Sequence, residues 1–82
     1  MRIIYSYKAA GQLTSLDVLY QIRIAEKMRF FAQQPNPLLF AKYITTRNLH
    51  CFRVGSYRVY FKLSEGILYI TTIERRDKAY KK

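Results

Sequence analysis

Eighty-two residues make one domain (1–82) with no room for a second, and with 50% hydrophobic and 16% aromatic residues the chain is not disordered. Fifteen Lys and Arg against five Asp and Glu give a net charge of +10, a positive field that draws phosphate backbones, anionic membranes or acidic proteins. The single cysteine, Cys51, excludes an internal disulfide and suits a reducing compartment. The charge is uneven: residues 41–82 hold ten basic residues and residues 1–40 only five, so the partner surface is expected in the second half. The apolar run at the N-terminus is too short for a signal peptide, and no stretch of about 18 apolar residues could span a membrane. A cytoplasmic protein with no membrane partner is expected.

Residues 2–6 read as a first strand and residues 7–13 as a short helix weakened by Gly11. Thr14 and Asp17 look like a short-armed capping box opening a second helix over residues 17–33. Val18, Ile22, Ala25 and Arg29 form one stripe, with Leu19, Glu26 and Phe30 beside it; the apolar members are expected to be buried and the charged members to form a rim. Pro35 and Pro37 stop it. Residues 38–48 read as a loop or irregular arm with apolar pegs at Leu38, Leu39 and Phe40. Period-two patterning then marks strands at 49–54, 57–63 and 67–73, joined by tight turns at Gly55-Ser56 and Ser64-Glu65-Gly66. The order β-α-α-β-β-β implies an α+β fold, with two N-terminal helices packed on one face of a small, mainly antiparallel sheet.

Alternation sorts the side chains. His50, Phe52 and Val54 share a face with Val59 and Phe61, which makes His50 a core-side residue rather than a general base. Arg53, Arg58 and Lys62 fall on the opposite, open face, and Arg75, Arg76, Lys78 and Tyr80 could join them. Guanidinium groups among tyrosines suit RNA, because Arg grips phosphate bidentately and aromatic rings stack on unpaired bases. The plain alternative is a solvated basic face that discourages edge pairing, with Tyr57, Tyr60 and Tyr69 as packing residues. The basic neighbours of Cys51 could lower its pKa. The five acidic residues are scattered, and neither a His–Cys metal spacing nor a Gly-rich phosphate loop is present, so no metal or cofactor is expected.

The stretch Leu49-His50-Cys51-Phe52-Arg53-Val54-Gly55-Ser56-Tyr57-Arg58-Val59-Tyr60-Phe61 resembles the central hairpin of RelE–ParE superfamily toxins, close to L-Y-R-L-R-V-G-D-Y-R-V-I-Y. Glu74-Arg75-Arg76-Asp77-Lys78-Ala79-Tyr80 resembles their closing segment, near G-H-R-R-D-V-Y. The resemblance implies a microbial-ribonuclease-like RelE fold, an acidic cognate antitoxin, and metal-independent cleavage of mRNA in the 30S A site by attack of a 2′-hydroxyl on phosphate. Carried over by position, Arg53, Arg58 and Arg75 would hold and polarise the phosphate, and Tyr80 would stack on a base or move a proton. Arg76, Lys62, Lys78, Lys81, Tyr57 and Arg47 would add RNA contacts. Cys51 stands where RelE-like enzymes often carry Lys or Arg, and Glu74 where many carry His. The spacing from Arg75 to Tyr80 is one residue longer than usual. Those departures keep a ParE-like inhibitor of DNA gyrase open as an alternative, beside a non-toxic basic RNA-binding module.

Overall fold

The computed structural model describes residues 1–75. Strand β1 (Arg2–Tyr5) leads into helices α1 (Tyr7–Thr14) and α2 (Val18–Ala32) and a 3-10 turn (Pro37–Phe40). Strands β2 (Lys42–Ile44), β3 (Leu49–Val54), β4 (Tyr57–Ser64) and β5 (Ile67–Arg75) follow. One sheet results, in the order β1-β5-β4-β3-β2. β1 runs parallel to β5, and every other pair is antiparallel. The chain thus adopts the expected α+β architecture. No described helix is long and apolar enough to cross a membrane.

The core lies between the helices and one sheet face. Ala9, Ile24, Met28, Phe31 and Ala32 pack from the helices onto Phe52, Val54, Tyr57, Val59, Phe61, Leu68, Ile70 and Ile73. At its centre the rings of Phe31, Phe52 and Phe61 form a stack, with successive centroids 4.0 Å apart and planes within 14°.

Three local expectations are corrected. The buried row of α2 is Ile24, Met28, Phe31 and Ala32, whereas Val18 and Ile22 are 68% and 49% exposed. Two apolar rows compete on this helix. The expected one is bordered by the charged Glu26 and Arg29, while the other carries the Phe31 ring that joins the Phe52 stack. Second, the Thr14 capping box does not form. Thr14 is the last residue of α1 and its hydroxyl donates to the carbonyl of Ala10 (3.0 Å), so its backbone is helical rather than extended. Asp17 takes the N-cap position without a side-chain bond, and Gln21 Nε2 instead donates to the carbonyl of Leu16 (2.7 Å). Third, residues 38–48 are not an irregular arm. They hold most of the 3-10 turn and the edge strand β2, which pairs with β3. Asn48 closes the β2–β3 turn at φ 55°, a left-handed conformation that Asn tolerates, and accepts a hydrogen bond from the Tyr43 hydroxyl.

Helix α1 also closes an edge. Ser6 caps it by accepting from the N–H of Ala9 (3.0 Å), a bond typically worth about 1 kcal/mol. The Ser6 hydroxyl in turn donates to the carbonyl of Thr71 (3.0 Å). Beyond the end of β1, the N–H of Ile73 donates to Gln12 Oε1 (2.7 Å), so a helix side chain completes the outer edge of β5.

Candidate nucleic-acid interface

The sheet face away from the helices is built in rungs. One rung runs Lys42, Cys51, Tyr60, Thr72 across β2 to β5. The next runs Arg53, Arg58, Glu74. The two-residue turn with Gly55 at φ 59° fixes this register, because only a residue tolerating positive φ closes the hairpin so tightly. Arg53 and Arg58 are therefore directly opposed, with Cβ atoms about 5 Å apart in such pairs. Like charges so placed are destabilising, and an anion between them would relieve the repulsion.

Arg53, Arg58 and Lys42 line one groove of ≈380 Å³, whose other wall is Leu39, Phe40, Ala41 and Ile44. Cys51 also lines the groove, its side chain buried. Burial pushes its thiol above the ordinary value of 9.0, although Arg58, a backbone hydrogen bond and Arg53 pull the other way and Glu74 adds to the rise. The basic neighbours do pull the thiol down, as their sequence positions allowed, but desolvation outweighs them. A raised folded value means that the stability contributed by the neutral thiol is complete below the ordinary thiol range and is lost as pH rises through the folded value. Iodoacetamide at about pH 7.5 should label Cys51 slowly in the native protein and far faster in urea; equal rates would show an accessible, ionised thiol.

Arg47, from the β2–β3 turn, closes over this face. Its guanidinium carbon lies 4.3 Å from the Tyr60 ring centroid, and its Nη2 is 2.9 Å from Glu74 Oε2. The Tyr60 ring is thereby taken as a packing surface. Lys62 lies on the same face but four residues along β4 from Arg58, about 13 Å away, where it borders a separate hollow with Ser64 and Tyr69.

Two expected members turn the other way. Tyr57 is buried under α2, its ring 5.5 Å from that of Tyr20. Arg75 pairs with Tyr57 in register, its guanidinium carbon 6.0 Å from that ring, so it follows the helix-side parity. The cause is a register shift between Tyr60 and Phe61, which inserts one extra residue in β5 and reverses the parity of everything after it. The same shift puts Glu74 on the open face. Arg75 meets Arg47 and Glu74 only around a neighbouring cleft of ≈540 Å³ at the sheet's end. His50 faces away from the groove, between Tyr43 (5.0 Å) and Phe61 (5.8 Å), as its parity implies. Arg76, Lys78, Tyr80 and Lys81 lie outside the described residues. Lys42 was not foreseen; its only sequence signal was the brief alternation of Lys42 and Ile44.

The fold that carries this face has a counterpart among solved proteins. A chain from the crystal structure of the archaeal RelE–RelB complex of Pyrococcus horikoshii superposes with a TM-score of 0.72, covering 92% of this chain and 93% of that one. This chain has the RelE fold. The two sequences are 22% identical, so the RelE likeness is one of architecture. No family model and no curated protein matches the sequence.

Proposed function

We propose that the chain is a RelE-like toxin of a type II toxin–antitoxin pair, an endoribonuclease that cuts mRNA in the ribosomal A site and is silenced by an acidic antitoxin. The observation that carries this reading is the opposition of Arg53 and Arg58 in a groove they share with Lys42. In the reaction the 2′-oxygen attacks the adjacent phosphorus and the P–O5′ bond breaks, giving a cyclic phosphate and a 5′-hydroxyl. The two guanidiniums stabilise the charge that develops on the equatorial oxygens. A guanidinium is a poor proton acceptor. Among the described residues Glu74 is the carboxylate on that rung, and it takes the 2′-hydroxyl proton once its ion pair with Arg47 opens. Water supplies the proton to the leaving oxygen.

The antitoxin reading is supported by the outer surface of α2, where Val18, Leu19 and Ile22 are exposed. A cleft of ≈610 Å³ between α2 and the β3–β4 turn, lined in part by Tyr20, Arg23, Phe30 and Tyr57, offers apolar anchorage beside positive charge.

One observation favours a ParE-like gyrase inhibitor instead: neither His50 nor an ionised thiol stands beside the arginines. Induced expression followed by mapping of mRNA 5′ ends, run beside a gyrase supercoiling assay, separates the two. The ribonuclease reading expects growth arrest with cuts in translated mRNA and unimpaired supercoiling. Arrest with blocked supercoiling and intact mRNA would reverse the choice, and absence of arrest would leave a non-toxic RNA-binding module.

A further inference from the structure

The groove that holds Arg53 and Arg58 has a second wall that phosphate binding leaves unexplained. Leu39 is 79% exposed and Phe40 47% exposed, both on the rim of the most basic groove described. The turn backbone and the Phe40 ring are held in place. Asn36 Oδ1 accepts from the N–H of Leu38 (3.2 Å), Pro37 is buried, and the Phe40 ring packs 5.9 and 5.7 Å from those of Phe30 and Phe31. The 3-10 turn therefore presents a fixed apolar shelf opposite three cations.

We propose that this groove seats one unpaired nucleotide of single-stranded RNA, its phosphate on Lys42, Arg53 and Arg58 and its base on the Leu39–Phe40 shelf. The inference rests on the reading of the chain as a protein that acts on RNA, and adds the place where a base is received. The volume, ≈380 Å³, falls within the roughly 300–1,000 Å³ of small-ligand sites. The shelf wall of Leu39, Phe40, Ala41 and Ile44 carries no polar side chain. It can read the flat face of a base but not its hydrogen-bonding edge, so the seat tolerates any base. Two guanidiniums on one rung, with Lys42 on the next, place three cations around one anion, as a phosphate beside a stacked base requires.

The test is fluorescence anisotropy at low salt with two labelled probes, a short oligouridine and an abasic ribose–phosphate chain of equal length. The oligouridine should bind about tenfold more tightly to the wild-type chain. Leu39→Ser and Phe40→Leu should shrink that preference by about fivefold while leaving affinity for the abasic probe unchanged. Lys42→Gln should weaken both probes alike and lower the salt dependence. Leu39 is at the surface and Phe40→Leu keeps an apolar side chain, so folding is preserved in both variants. Equal affinity for the two probes, or an intact preference in Leu39→Ser, would overturn the seat and leave the RNA reading standing. Failure to bind either probe would overturn the seat, and the ribosomal reading would still be decided by the mRNA 5′-end mapping described above. An acidic leucine-containing peptide that displaces both probes, with no base preference, would overturn the seat by assigning the groove to a protein partner.

Discussion

Replacing Arg58 with alanine is expected to abolish growth arrest on expression and to lower cleavage of ribosome-bound mRNA by about 10²–10³-fold, with the fold intact. Arg58 stands at the middle of its rung, opposed to Arg53 on one side and Glu74 on the other. It is half-buried where Arg53 is exposed, so its charge interactions are less screened by water. Arg58→Lys should recover only part of the activity, because an ammonium keeps the charge but loses the bidentate fork. Cleavage assays on programmed ribosomes, beside urea unfolding of the same variants, check both halves. Undiminished toxicity in Arg58→Ala would place the active groups elsewhere.

The largest effect on stability is expected at Phe52. Its ring lies between those of Phe31 and Phe61 at 4.0 Å on each side and is fully buried. Phe52→Ala should cost about 3–5 kcal/mol. A domain of this length holds roughly 4–12 kcal/mol in total, so the variant should lose from about a quarter to all of its stability. Urea denaturation measures the loss directly. Val18→Ser is the matched control: at 68% exposure it should move the midpoint little, although the sequence placed Val18 on the buried stripe. A midpoint that falls as far for Val18 as for Phe52 would contradict the helix phase described above.

That contrast shows where the sequence was legible. Along β3 and β4 the alternation is strict, and the short hairpin at Gly55 leaves one register, so the opposition of Arg53 and Arg58 could be read from spacing alone. Helix α2 was ambiguous because two apolar rows overlap on it, and only the Phe31–Phe52 stack, a long-range contact, selects one. Strand β2 is three residues long and exists because β3 is there to pair with it; nothing local announces it. Arg75 was misplaced for a sharper reason. The sequence allows Arg75 to join the open face beyond the end of a strand expected over 67–73, but the strand runs on to Arg75 and one inserted residue in it turns Arg75 to the helix side. Parity arguments hold only as far as the first bulge.

The way α1 lies against β5 bears on how the chain keeps to itself. A sheet grows by adding strands at a bare edge, and a chain that is 50% hydrophobic is at risk of doing so with its own copies. Here one edge is the three-residue β2 and the other the four-residue β1. The remaining length of β5 is occupied by Ser6 and Gln12. Neither edge offers a long template, and both β1 and β2 carry a basic residue, Arg2 and Lys42. The same arrangement that shapes the basic face thus keeps the free protein from polymerising through its sheet.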